Sequence, residues 1–259
     1  MVARLHVPPL SAGERTLTLP PEEADYLRRV LRARPGLAVR IFDGAGNERE
    51  GRVTSIGRHG VSVEVGDPVA PAPECRVRIT LAQSLLKGDK LDDVVRDAVM
   101  LGVAAVQPLV TARADVPAAA FDEGGRIERW HRIAVASARQ CGRAVVPEIY
   151  QPLSLDACLD TRRCEARALL VEPSAVTQGR GPRGLPARPA SALLLVGPEG
   201  GWSMEEIRAA AEAGCTTVTL GARTLRADAA PLVALSVLLA YWGEMPGFGI
   251  RDPGLGTRG

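Results

Sequence analysis

The chain has almost no lysine. Of its 32 basic residues only Lys87 and Lys90 are lysine, and the other 30 are arginine. With 30 acidic residues the formal net charge is +2. This excludes a global polycation but leaves local basic faces open. Aromatic residues make up 3 % of the 259 positions, so a core has to be built mostly from Val, Leu, Ile and Ala. The three histidines, His6, His59 and His131, stand far apart, and the cysteines Cys75, Cys141, Cys158, Cys164 and Cys215 form no CxxC pair. Those spacings argue against a metal site and for free thiols. No apolar run approaches the roughly 18 residues of a membrane span, and MVARLHVPPL carries no signal-type apolar region. A cytoplasmic location away from membranes is therefore expected.

Several catalytic signatures are also missing. There is no GxSxG elbow for an α/β-hydrolase and no HExxH or clustered Cys/His set. Asp92 and Asp93 are adjacent and point in different helical directions, which makes a poor carboxylate pair. Hydrolysis and metal-assisted phosphoryl transfer lose their support.

What is present reads as two parts. In the first seventy residues short strands are expected at 4–7, 37–44, 48–56 and 60–66, with a helix over 22–33. Asp43-Gly44 and Gly46-Asn47 mark a tight connection. Short strands with glycine turns bury one common face by curling, so a small barrel or curled sheet is the natural architecture. DPVAPAPE, 67–74, reads as a linker. Strands and helices then alternate: strands at 76–83, 103–110, 169–171, 192–196 and 216–220, helices at 90–101, 126–141, 204–213 and 229–242. GRGPRGLPARP, 179–189, is a breaker-rich loop. The almost wholly apolar ALLLV suits a parallel sheet covered on both faces, and the class is α/β.

Two strand-to-helix loops carry the local chemistry. In LLLVGPEGGWSMEE, 193–206, a buried strand runs into Gly197, Pro198, Glu199, Gly200 and Gly201, and Ser203 with Glu206 makes a capping-box pattern at the next helix. Such strand ends form the ligand crevice of open α/β sheets. The loop is neither GxGxxG nor a Walker A loop, and Glu199 would oppose a phosphate, so a neutral or partly cationic ligand suits it better. The second loop, LGARTLRAD, 220–228, places Arg223 and Arg226 beside Gly221. Asp228 stands before the last helix, where a carboxylate can satisfy open N–H groups. Together the loops could form one pocket, or each could be a plain turn.

Positive charge concentrates on two helices. Arg28, Arg29, Arg32 and Arg34 fall within seven residues, with Arg28 and Arg32 spaced i,i+4. Residues 125–143 hold five arginines against one glutamate, with Arg132, Arg139 and Arg143 near one stripe. These stripes either contact phosphates, which position a nucleic acid without reading it, or are solvated faces. Trp130 could equally pack in a core or stack on a base.

The blocks RLHV, YLRRVLRARPG, IFDGAGNE, ERWHRIAVASARQCGR with VVPEI after it, LLVGPEGGWSMEE and LGARTLR run in order over nearly the whole chain. In this order they resemble the RsmE-type 16S rRNA uridine N3-methyltransferases of the SPOUT superfamily. GPEGG followed by LGxRxLR is the most specific pair. The resemblance implies a PUA-like RNA-binding barrel at 1–70, a linker ending at 71–75, and a tail at 246–259. Between them, 76–245 would be a SPOUT methyltransferase domain with a C-terminal trefoil knot. It implies S-adenosylmethionine held by Glu172, Gly197, Glu199, Gly200, Leu220, Gly221, Leu225 and Arg226. It further implies a homodimer that methylates N3 of one uridine in the 16S rRNA of the small ribosomal subunit, with Arg4, Arg28, Arg32, Arg132, Arg139 and Arg143 toward RNA. Arg226 would stabilise charge on the uracil oxygens, with Arg143 and Arg139 next, and Glu199 would either accept the proton or order the loop.

The chain departs from the family wording in three places. VRDAVMLG stands for VQKATELG, so Asp97 and Met100 replace a Lys and a Glu. Tyr26 stands where His is common, and Ala227-Asp228-Ala229 replaces Glu-Thr-Ala. Two other readings stay open at this point: a non-catalytic RNA-binding or ribosome-assembly protein of the same fold, and a SPOUT enzyme with another RNA target.

Overall fold

The structure, a computed structural model, describes residues 2–7, 9–10, 13–58, 60–115, 125–175 and 181–245. The expected tail at 246–259 lies outside them, as do His59 and part of the 179–189 loop. The chain divides into two compact units. One is Met1–Glu74 with Arg132–Pro147, and the other is Cys75–His131 with Glu148–Gly259. The segment 132–147, expected with the second domain, thus belongs to the first unit.

The first unit is a five-stranded sheet of β1 (Ala3–His6), β2 (Thr16–Thr18), β3 (Ala38–Phe42), β4 (Glu48–Gly57) and β5 (Gly60–Pro68), ordered β1-β3-β4-β5-β2. β1 pairs with β3 in parallel, and the other pairs are antiparallel. Period-two alternation in VSVEV puts Val61, Val63 and Val65 on the buried face with Leu5, Ile41 and Val53. Gly51 lets the strands close up, since a Cβ there would lie 3.0 Å from Val39 and Val63. At the β3–β4 turn, Asp43 accepts from Ala45 N at 2.8 Å, Asn47 N at 3.1 Å and Asn47 Nδ2 at 2.7 Å.

The helix expected over 22–33 is much shorter. α1 covers Pro21–Asp25 and runs into a π-helical turn, Tyr26–Val30. Leu31 N then donates to Tyr26 O, and Arg32 takes a left-handed φ of 48°. Pro35 disfavours helix at Arg34, so the turn widens and ends instead of continuing. Arg32 therefore lies beyond the helix, and the i,i+4 face expected for Arg28 and Arg32 does not form.

In the second unit the strand pairs among the described residues are all parallel. Its strands are β6 (Arg78–Ser84), β7 (Ala105–Val110), β8 (Glu148–Ile149), β9 (Leu153–Ser154), β10 (Ala166–Leu170), β11 (Ser191–Val196) and β12 (Thr216–Val218). The order is β12-β10-β11-β6-β7-β8, with β9 also on β7. The helices are α2 (Lys90–Met100), α4 (Leu155–Thr161), α5 (Met204–Glu212) and α6 (Ala230–Tyr241), while α3 (Arg126–Cys141) is shared between the two units. β11 is buried from Ala192 to Val196, as its apolar run predicts. Trp130, left open by the sequence, is core: it is 2 % exposed and donates its indole N–H to Asp92 at 2.8 Å. Among the described residues no helix is long and apolar enough to cross a membrane, and no group of three or more His, Cys, Asp or Glu is arranged to hold a metal ion.

Candidate active site

The carboxyl ends of β10 and β11 open into a cavity of about 540 Å³, a size suited to a drug-sized ligand. Three loops build it. β10 supplies Leu170, Val171 and Glu172. β11 supplies Val196 through Trp202. The loop after β12 supplies Leu220 and Arg223 through Asp228. Lys90, at the start of α2, and Arg113, beyond β7, complete the wall.

Glycine is required in the β11 loop for reasons of space. A Cβ on Gly197 would lie 3.2 Å from the Trp202 ring, and one on Gly200 would lie 3.0 Å from Arg113 Cβ. Gly201 holds a φ of +67°, a left-handed conformation that other residues resist. Trp202 is buried and donates its indole N–H to Leu170 O at 2.8 Å, tying the loop to the end of β10. Buried Gln83 donates to the Gly197 carbonyl at 3.2 Å, and Arg113 Nη1 donates to Gly200 O at 3.2 Å. The capping box forms as expected: Ser203 Oγ accepts from Glu206 N at 3.1 Å and Glu206 Oε2 accepts from Ser203 N at 2.8 Å. The other Glu206 oxygen takes Ala112 N at 2.8 Å, so one side chain anchors both α5 and the chain beyond β7.

The wall carries charge of both signs, with Glu199 paired to Lys90 and Asp228 to Arg226. Glu172 and Glu199 both line the cavity. Burial alone would raise the Glu199 carboxyl, but hydrogen bonds from Lys90 and from backbone N–H groups, including that of Lys87, outweigh it and hold the group below the usual carboxylate range. Glu199 is therefore a carboxylate at neutral pH and a weak base, which counts against it as the proton acceptor. Asp228 does not cap the last helix. The N-cap of α6 is Ala229, without a side-chain hydrogen bond, and Asp228 instead accepts from Arg226 Nε at 3.1 Å and Nη2 at 2.9 Å. That pairing also keeps the Asp228 carboxyl low.

Of the residues expected to hold a cofactor, Glu172, Gly197, Glu199, Gly200, Leu220, Leu225 and Arg226 line this one cavity, while Gly221 is exposed and outside its lining. Lys90, Arg113 and Trp202 were not foreseen. The signal that could have found Lys90 is its rarity.

The arginine stripes are partly corrected. Arg32 and Arg132 are exposed and Arg28 is half-buried. Arg143 is 4 % exposed and forks onto Glu74, with Nε to Oε1 at 3.0 Å and Nη2 to Oε2 at 2.5 Å. Arg139 pairs with buried Glu23 and stacks over Tyr26 at 4.6 Å. Arg4 is bidentate on Glu48 and donates to the carbonyls of Ala138, Arg139 and Arg143. It thereby satisfies open carbonyls at the end of α3. All three guanidiniums are paired with carboxylates inside the first unit, where Arg143 is buried and Arg4 and Arg139 are partly buried.

Comparison with known proteins gives a consistent picture. A model described as an RNA methyltransferase domain matches residues 73–239, and one described as an RNA methyltransferase PUA domain matches 19–66. The ribosomal RNA small subunit methyltransferase E of Synechocystis is 34 % identical over 246 residues, covering 93 % of this chain and 78 % of the relative. A structure described as a methyltransferase from Legionella pneumophila, in complex with the bound cofactor SAM, superposes with a TM-score of 0.86 at 30 % identity over 93 % of this chain and 98 % of that one. The small subunit methyltransferase E of Neisseria gonorrhoeae, bound to S-adenosylmethionine, gives 0.79 at 31 % identity over the same shares, 93 % and 98 %.

Proposed function

This chain belongs to the RNA methyltransferase family, as a small-subunit rRNA methyltransferase of RsmE type with a SPOUT-like α/β fold and a PUA-like N-terminal domain, and we propose that it transfers the methyl group of S-adenosylmethionine to N3 of a uridine in 16S rRNA. The observation that carries the reading is the cavity at the ends of β10 and β11, walled by Glu172, Gly197, Glu199, Gly200, Leu225 and Arg226 among others. The residues suit the cofactor: the volume would accept a nucleoside joined to an amino acid, the glycines would leave backbone open to it, and Glu172 would offer a carboxylate to its cationic groups. When bound, S-adenosylmethionine supplies an activated methyl on a sulfonium.

The chain's own residues then have to hold and prepare the nucleobase. Fixing both reactants in one cavity replaces an encounter by positioning. A uracil in structured RNA has to leave its stack to reach such a pocket. Its N3 keeps a proton at neutral pH, so cationic side chains around the cavity serve by stabilising the ring as the proton leaves. Arg226, at the rim, is proposed for that role, and Glu199 for ordering the loop. Exposed Arg32 and Arg132, with half-buried Arg28, are proposed to contact RNA phosphates.

Two further features belong to the same proposal. The last third of the α/β domain is proposed to form a trefoil knot; the placement of β11 between β10 and β6, and the return of α6 onto α2, support it. The protein is a homodimer; the apolar outward side of α6, with Val233 39 % exposed, supports that. The test is methylation of naked 16S rRNA and of isolated small subunits with labelled cofactor, followed by mapping of the modified base. Label at N3 of one uridine is expected. Label elsewhere, or calorimetry showing no S-adenosylmethionine binding, refutes the reading.

A further inference from the structure

Both lysines of this arginine-rich chain converge on one carboxylate. Lys90 Nζ donates to Glu199 Oε1 at 2.6 Å, and the Lys87 backbone N–H reaches the same oxygen at 3.3 Å. The Lys87 ammonium turns away, to Asp115 at 2.7 Å. Lys90 is different: its ammonium lines the cavity, with its side chain 35 % exposed and that of Glu199 28 %. Lys90 thereby ties the start of α2 to the β11 loop at the cavity wall.

Two other cations of the wall, Arg113 and Arg226, are committed or peripheral. Arg113 donates to the Gly200 carbonyl. Arg226 is 76 % exposed and binds Asp228 through two of its nitrogens. A guanidinium is a planar fork that locks onto carboxylates, whereas an ammonium is a compact charge with three rotatable donors. Apart from Lys90 and from Lys87, whose ammonium pairs with Asp115, every basic side chain among the 32 is a guanidinium. At the pocket wall one ammonium donor is taken by Glu199, and the geometry of the group leaves two more to turn inward.

We propose that Lys90 is the catalytic cation that stabilises the uracil ring as its N3 proton leaves, with Glu199 as the positioning residue that aims it. The proposal rests on the function argued above and adds a second cation, paired with the β11 loop's carboxylate, to the one proposed at the rim. The step balances without a protein base. The N3 proton passes to solvent, leaving one negative charge shared by N3 and the flanking ring oxygens. The N3 lone pair forms the new bond to the methyl carbon, and the pair of the broken carbon–sulfur bond stays on sulfur. Glu199, held as a carboxylate by Lys90, is not the acceptor. The charged groups that face this volume are Glu199, Glu172 and Asp228, which oppose an anion, and Arg113, Arg223 and Arg226, which favour one. Lys90 is the one ammonium among them, held at the wall by Glu199.

The test is the pH profile of methyl transfer to 16S rRNA by the full-length parent, K90M and K90R, with S-adenosylmethionine binding measured by calorimetry for each. In the parent, transfer rises with pH and levels off once the ring ionises in the site. Expected for K90M is a rise displaced upward by about one pH unit, with a rate near neutrality about tenfold to a hundredfold lower and cofactor affinity within about threefold of the parent. K90R, which keeps the charge, is expected to return the midpoint most of the way. A K90M profile lowered equally at every pH, or a loss of cofactor affinity that parallels the loss of rate, overturns the proposal and leaves Lys90 a loop strut. A parent that methylates some position other than uracil N3 overturns the functional reading itself, and the proposal with it.

Discussion

The indole ring of Trp202 lies flat where a side chain on Gly197 would have to go. The ring atoms stand 3.2 Å from the position a Cβ would take, and the indole N–H is fixed to Leu170 O at 2.8 Å. Gly197→Ala therefore forces either the ring or the loop to move. Neither is easy, because Trp202 packs in the core with Leu193, Leu195 and Ala210. Overpacking of this kind costs about 1–3 kcal/mol. G197A is expected to lower stability by that amount in denaturant unfolding and to weaken S-adenosylmethionine binding at least about tenfold by calorimetry. An unchanged affinity would show that the loop does not need the backbone approach that Gly197 allows.

Arg132 and Arg143 sit on one sequence stripe but face different environments. Arg143 is buried against Glu74, whereas Arg132 is exposed. Removing Arg143 strips a partly buried carboxylate of its partner. Glu74 is one-third exposed, and solvent screening reduces the cost below that of a fully buried pair. R143A is expected to lose about 1–3 kcal/mol of stability and to leave the salt dependence of RNA binding unchanged. R132A is expected to do the reverse, keeping its stability while the slope of log affinity on log salt shrinks by about one. The paired unfolding and salt-titration measurements separate structural from phosphate-facing arginine.

Asp43 makes the β3–β4 turn depend on acid. Burial would raise its carboxyl, but donors from the Asn47 side chain and from the backbone of Ala45 and Asn47 bring it below the ordinary 3.8. A depressed carboxylate contributes stability that is fully present above the unfolded value and is lost as pH falls through the folded one. Asp43→Ala leaves three N–H donors unserved and is expected to cost about 1–3 kcal/mol at pH 7. That difference should stay constant down to about pH 5 and narrow below 3.8. A gap that widens in acid would contradict the assigned direction.

The sequence makes some of this architecture visible and hides the rest for physical reasons. The alternation of Val61, Val63 and Val65 and the apolar run of β11 read directly, because each strand's pattern reports its own burial. β8 and β9 hold two residues each, too few to show a period. The Tyr26–Val30 turn carries ordinary helix formers, and its π geometry comes from how it has to end before Pro35. At the site, Gly197 through Gly201 announced themselves by local chemistry, since two breakers and a carboxylate at a strand end have few other uses. Lys90 did not, because its pairing with Glu199 spans 109 positions and exists only once the sheet is formed. The inward turn of Arg143 was hidden for the same reason: helical spacing says which residues share a stripe, not what that stripe meets.

Arg226 and Asp228 give the last prediction. The guanidinium is 76 % exposed and the pair is two residues apart, so neither side chain holds the fold together, and R226A should melt with the parent. Its cost should appear in function. Arg226 lines the cavity and presents charge toward it only while Asp228 fixes its direction. R226A is expected to lower methyl transfer about tenfold to a hundredfold, less than the roughly hundredfold to thousandfold lost with an enclosed oxyanion donor, because this guanidinium is largely exposed to water. D228N keeps a hydrogen-bond acceptor but removes the countercharge, which leaves Arg226 more electropositive and less anchored. If charge matters more than aim, D228N should transfer at or above the parental rate; if aim matters more, it should follow R226A downward. R226A transferring at the parental rate would remove Arg226 from the chemistry and leave Lys90 to meet the ring alone.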